Sequence, residues 1–89
     1  MEFEWDPQKA RSNRRKHGVR FADATAVFRD ELAVTMPDES SDEKRFITIG
    51  MDVVGRLLVV VYSWRGVMIR VISARKATGP ERRRYEEKR

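Results

Sequence analysis

The sequence predicts an α+β fold: two N-terminal helices, a small antiparallel β-sheet of about four strands, and one C-terminal helix. Three features lead there. Helix start and stop signals fall between Asp6 and Phe28, period-two alternation runs from Leu32 to Ser73, and a second helix start stands at Thr78. Runs of helices separated from runs of strands indicate helices packed on an antiparallel sheet.

Each element has its own local cause. Phe3-Glu4-Trp5 alternates apolar and polar, as a short first strand does. Asp6-Pro7 is an N-cap acid followed by proline at the first helical position, and Gly18 is a C′ stop, so a helix is expected from Pro7 to about His17. Lys9, Asn13 and Lys16 or His17 share one face of it, whereas its apolar content is thin. Phe21, Ala24, Thr25 and Phe28 recur at i, i+3, i+4 and i+7, the spacing of a short amphipathic helix. Leu32, Val34 and Met36 alternate up to Pro37, and residues 38–43 (DESSDE) form an acidic loop. Arg45, Ile47, Ile49 and Met51 alternate with Phe46, Thr48 and Gly50. After a turn at Asp52–Gly55, Leu57 to Tyr62 is apolar on both faces and reads as a central strand. Arg65-Gly66 is the expected hairpin turn, and Val67 to Ser73 returns with Arg70 interrupting an apolar row. Thr78-Gly79-Pro80-Glu81 is a capping box opening a charged helix to about Lys88. No repeat or linker divides the chain, so a single domain over residues 1–89 is expected.

Composition excludes several chemistries. With no cysteine, disulfides, thiolate nucleophiles and sulfur-ligated zinc sites are ruled out, and one histidine makes a nitrogen-rich metal site implausible. No metal or other cofactor is therefore expected. The longest apolar run, Leu57 to Tyr62, is too short to cross a bilayer, and acids occupy the first residues where a signal peptide carries bases, so a cytoplasmic location is expected. The net charge of +5 is unevenly spread. Residues 30–43 hold six acids and no base, whereas residues 65–89 hold nine bases and three acids. Clustered basic charge at the two ends is either the footprint of a polyanionic partner such as nucleic acid or the solvated charged surface that any small soluble domain needs.

No phosphate-binding glycine loop, paired histidines or nucleophile elbow is present. Arginines instead stand where strands and turns end. Arginine's planar fork donates to phosphate in two directions and stays charged, which suits a developing phosphorane. Arg65 at the hairpin is either a solvated turn residue or a phosphate ligand. Arg70, inside a strand, must pair, snorkel or face a cleft. Arg75 joins Lys76, Arg82 and Arg83 in one basic region. His17 is the one side chain that ordinarily titrates near neutrality, although a histidine in the last turn of a helix is also favoured by the macrodipole. Tyr85 is either a proton-transfer group or a packing anchor, Trp5 reads as core, and Trp64 could stack on RNA or pack.

Read together, Trp5-Asp6-Pro7, Lys9, Asn13, Lys16-His17-Gly18-Val19, Phe21, Ala24 and Val27-Phe28 resemble the opening of the BrnT toxin family. The second half is similar as well: Arg45 with Ile49-Gly50, the central strand ending in Arg65, the run from Arg70 to Arg75, and Glu81-Arg82 with Tyr85. The resemblance implies a RelE-like fold and a metal-independent endoribonuclease, the toxin of a type II toxin–antitoxin pair. It implies inhibition of translation, and as partner a BrnA-like ribbon-helix-helix antitoxin, in an expected heterotetramer that represses its own operon. DNA would be contacted only through the antitoxin. It also implies catalytic roles for Arg65, Arg75, His17 and Tyr85, and RNA contacts from Lys9, Lys16, Arg70, Lys76, Arg82 and Arg83. Two other readings stand beside this one: a non-catalytic basic module that binds nucleic acid without cutting it, and an inactive member of the pair kept for repression.

Overall fold

A computed structural model describes residues 1–87. The chain runs β1 (Glu2–Glu4), α1 (Pro7–His17), α2 (Phe21–Ala24), a 3₁₀ segment (Thr25–Arg29), β2 (Val34–Pro37), β3 (Phe46–Met51), β4 (Leu57–Arg65), β5 (Met68–Lys76) and α3 (Gly79–Glu86). The expected α+β class is present, with two differences in the sheet. It has five strands in the order β1-β5-β4-β3-β2, and β1 runs parallel to β5 while every other pair is antiparallel. Three residues at the N-terminus thus complete a sheet with the last strand, and local periodicity carries no trace of so distant a pairing.

The helix signals act as local chemistry requires. Asp6 accepts a hydrogen bond from the Gln8 N–H at 2.8 Å, and Gly18 adopts φ 70 while its N–H reaches the Arg14 carbonyl. Thr78 and Glu81 form the reciprocal capping box that opens α3. The expected extension of that helix to Lys88 lies outside the described residues. The second helix is shorter than its spacing suggests. It makes one α turn and then tightens to 3₁₀ at Thr25, whose hydroxyl donates back to the Ala22 carbonyl at 2.8 Å. The 3₁₀ segment crosses β3 closely: a Cβ on Gly50 would stand 3.0 Å from the Val27 Cβ and 3.1 Å from its carbonyl oxygen. The hairpin turn is also displaced by one residue. Arg65 pairs with Met68, so Gly66 and Val67 are the turn, with Gly66 at φ 59 in the first position.

Two apolar clusters lie on opposite faces of the sheet. On the face covered by α1, α2 and the 3₁₀ segment, Leu58, Val60, Tyr62, Ile69, Val71 and Ala74 pack against Val19, Phe21, Ala24 and Val27. Trp5 meets Phe21 edge-on and is half-buried there. On the other face Val34, Ile49, Leu57 and Val59 pack against Tyr85 of α3. The second cluster occupies only one end of its face.

A bulge in β5 decides which side chains share that second face. Val61 pairs with Ser73 and Tyr62 with Val71, leaving Ile72 as an extra residue. Strict alternation would set Arg70 and Arg75 on opposite faces, since they are five residues apart. With Ile72 inserted, Ile69, Val71 and Ala74 face the helices, and Arg70, Ser73 and Arg75 all face the other way.

Asn13 of α1 holds the strand just past the bulge. Its side chain is buried, donates from Nδ2 to the carbonyls of Ala74 (2.8 Å) and Val19 (3.0 Å), and accepts the Ala74 N–H at 3.1 Å. Because β1 pairs only with Met68 to Arg70, this amide stands in for a neighbouring strand along the remainder of β5. Asn13→Ala would leave three buried backbone groups unpaired, and is expected to lower the unfolding free energy by about 2–4 kcal/mol in urea titration. Gly50→Ala is expected to cost about 1–3 kcal/mol by forcing the 3₁₀ segment off β3, measured in the same way.

Candidate nucleic-acid interface

Beyond the end covered by α3, the second sheet face is open and basic. Register sets Glu4, Arg70 and Ser63 side by side from β1, β5 and β4, with Arg65 opposite Met68 in the next row. Ser73, Val61, Ile47 and Met36 form the row on the side of α3. The floor is thus partly apolar, and arginines line one end of it. Arg45 extends the β2–β3 ladder by one pair, since its carbonyl accepts the Asp38 N–H, and alternation places it on this face two residues from Ile47. Its Nε is buried without a hydrogen bond among the described residues, while Nη2 reaches Glu43 at 3.0 Å.

The arginines of β4 and β5 are held by two acids, Glu4 and Glu81. Arg70 Nη1 donates to Glu4 Oε2 at 2.7 Å, and Arg65 Nη1 lies 3.3 Å from the same oxygen. Of the three alternatives open for Arg70, the fold adopts pairing, on a strand face that stays open. Arg65 remains 61% exposed and keeps most of its donors in solvent, whereas Arg70, at 34%, is better fixed.

Arg75 is engaged differently. Its two terminal nitrogens donate to the two oxygens of Glu81 at 2.7 Å each, a bidentate fork that ties the first turn of α3 to the sheet. Hydrogen bonds from Arg75 hold the Glu81 carboxyl down to about 2, with the Thr78 N–H and hydroxyl adding to the effect, and the same pair raises the guanidinium further above its ordinary value. To grip a phosphate with that fork, Arg75 must release Glu81. It serves first as the clamp of α3.

A second basic group lies on the helical side of β5. Lys9, Ser12, Asn13, Lys16 and His17 of α1 line a shallow groove whose other wall is Ile72 and Ser73. The helical spacing that set Lys9, Asn13 and Lys16 or His17 on one face is thereby turned toward the bulge. Lys76, Arg82 and Arg83 are exposed.

Tyr85 does not join either group. It is 3% exposed, and its hydroxyl donates to Asp30 Oδ2 at 2.7 Å, an oxygen that also accepts the Met51 N–H. The fold seats Tyr85 as a packing anchor, since α3 folds inward onto the acid that closes the 3₁₀ segment. Trp64, half exposed and edge-on to Tyr62, stays at the rim of the helical face. Sequence reasoning passed over Glu4, Ser63, Ser73 and the clamp of Asn13. The alternation of Arg45 with Ile47 was visible, but nothing local indicated which face would stay open. Among the described residues, no group of three or more histidine, cysteine, aspartate or glutamate side chains is placed to hold a metal ion, and no helix is long and apolar enough to cross a membrane.

The comparisons with known proteins agree on one family. A family model described as "Ribonuclease toxin, BrnT, of type II toxin-antitoxin system" matches residues 5–81. The fold is similar to the crystal structure of the Brucella abortus ribonuclease toxin BrnT, with a TM-score of 0.71 at 28% identity, covering 88% of this chain and 97% of that one. Among curated proteins, none matches the sequence.

The Arg75–Glu81 clamp has a pH signature. Since folding holds the Glu81 carboxyl at about 2 against an ordinary 4.5, the stabilisation is complete above about 4.5 and disappears as pH falls through about 2. Glu81→Gln is expected to lower stability by about 1–2 kcal/mol at neutral pH after allowance for solvent screening. Thermal melts of both proteins should converge between those two pH values.

Proposed function

The chain belongs to the BrnT family of ribonuclease toxins from type II toxin–antitoxin systems, and on that premise we propose that it is an endoribonuclease that halts translation by cutting RNA without a metal ion. The observation that supports this best is the open sheet face on which Arg65 and Arg70 converge from two strands. Cleavage of RNA by its own 2′-hydroxyl needs a proton removed from that hydroxyl, charge neutralised on the pentacoordinate phosphorus, and a proton supplied to the leaving 5′-oxygen. Two guanidiniums beside one phosphate meet the second need. Arg70 is held in place, and the more exposed Arg65 can swing onto a non-bridging oxygen.

Around this centre, Lys9, Lys16 and His17 guide the RNA along the groove beside the bulge, with His17 available for proton transfer. Lys76, Arg82, Arg83 and, when released by Glu81, Arg75 attract the flanking phosphates. The partner that neutralises the toxin is a BrnA-like ribbon-helix-helix protein. The two form a heterotetramer that represses its own operon, contacting DNA through the antitoxin, and both act in the cytoplasm where the RNA is.

The direct test incubates the purified chain with labelled RNA in excess chelator. Cleavage is expected to persist, and Arg65→Ala with Arg70→Ala is expected to slow it by about 100-fold or more while the melting temperature stays within a few degrees. Expression alone should arrest growth, and co-expression of a neighbouring ribbon-helix-helix gene should restore it. If the RNA stays intact with and without divalent cations, the chain is a binding module, recognised by affinity that drops steeply with salt.

A further inference from the structure

Glu4 accepts from the arginines at the β1 end of the open face, and its placement gives it a use beyond pairing. The parallel β1–β5 contact sets Glu4 opposite Arg70 at the sheet edge. Its Oε2 takes both guanidinium contacts, 2.7 Å from Arg70 and 3.3 Å from Arg65, while Oε1 has no hydrogen-bond partner among the described residues. The side chain is 26% exposed, so solvent and a ligand can reach it. One oxygen is thus anchored by the two cations assigned to the phosphate, and the other presents lone pairs beside them. A phosphodiester bound by Arg65 and Arg70 brings the adjoining ribose within the same few ångströms.

We propose that Glu4 is the general base of RNA cleavage, a catalytic residue acting through Oε1 on the ribose 2′-hydroxyl. The inference rests on the ribonuclease reading above. The carboxylate takes the 2′-hydroxyl proton as the O2′–P bond forms, and the P–O5′ bond breaks with its electron pair leaving on O5′. Water protonates O5′, and the hydroxide so formed takes the proton back from Glu4. The products are a 2′,3′-cyclic phosphate and a 5′-hydroxyl, and the enzyme is unchanged. The guanidiniums of Arg70 from β5 and Arg65 from β4 face this carboxylate, and Glu2 is the other acid on its own strand.

The test compares the purified chain with Glu4→Gln and Glu4→Asp on a labelled oligoribonucleotide, measuring kcat, KM, the pH–rate profile and the chemistry of the 3′ end. Glutamine preserves the shape and an oxygen for Arg70 but cannot take the proton. For Glu4→Gln, the expected result is a kcat lowered by about 100-fold or more, KM within about threefold, and loss of the fall in rate on the acid side. Glu4→Asp should keep that acid limb with an intermediate kcat, and the melting temperatures of both variants should stay within a few degrees of the parent's, as the loss of a partly exposed ion pair allows. The proposal is overturned if Glu4→Gln keeps kcat within about fivefold, if its loss is carried by KM with the acid limb intact, or if the product lacks a cyclic phosphate. A parent chain that leaves the RNA whole overturns the ribonuclease reading itself, whereas a parent that cuts beside an equally active Glu4→Gln overturns only the role of Glu4.

Discussion

The grip of Asn13 on Ala74 is the contact on which the rest of this molecule depends. A strand with a free edge and an inserted residue is a weak element, since its outward backbone groups have no partner and the ladder is interrupted. One buried amide from α1 supplies both a donor and an acceptor to the strand just beyond the bulge, and a second donor bond reaches the Val19 carbonyl where α1 ends. Helix, chain reversal and strand are thereby fixed to each other by a single side chain. The bulge can then be kept, and with it the parity that turns Arg75 and Ser73 to the same face as Arg70.

That parity shapes the electrostatics. Three arginines of β4 and β5 would repel one another across an open face unless acids were interleaved. Glu4 serves Arg65 and Arg70, and Glu81 serves Arg75. Each acid comes from an element at the margin of the sheet, β1 or α3, so each ion pair also pins a terminal element to the centre. The two pairs differ in kind. The fork between Arg75 and Glu81 is bidentate and joined to a helix cap, which makes it a structural clamp. The contact of Arg65 with Glu4 is longer and largely solvated, and it yields more readily to a phosphate.

α3 limits the open face from the other side. Its surface is almost wholly charged, and it is held by one buried tyrosine whose hydroxyl reaches Asp30 and by the Glu81 fork. Covering only the Val34, Ile49, Leu57 and Val59 end leaves the arginine end accessible. A second basic group, on α1, meets the same strand from the helical side at Ile72 and Ser73, so β5 carries basic residues along both of its flanks.

Much of this was legible in the sequence, because the signals concerned act over a few residues. Asp6, Pro7 and Gly18 bound α1, Thr78 and Glu81 cap α3, and the alternation of Ile47, Ile49 and Met51 marks a strand, each through bonds made within one turn or one pleat. The clustering of basic charge and the exclusion of cysteine chemistry needed only composition, and the ordered residues from Trp5 to Tyr85 carried the family. Other features depended on long-range contacts. The parallel seat of β1 on β5 brings Glu4 to Arg70 across 66 residues, and Asn13 meets Ala74 across 61. The inserted Ile72 reverses the side on which every later residue of its strand points, a change that no count of alternation in one strand can reveal. Local chemistry determined the elements and their charge; only the packing of distant elements decided which charges meet, because facing and pairing are set by the partner strand and not by the strand itself.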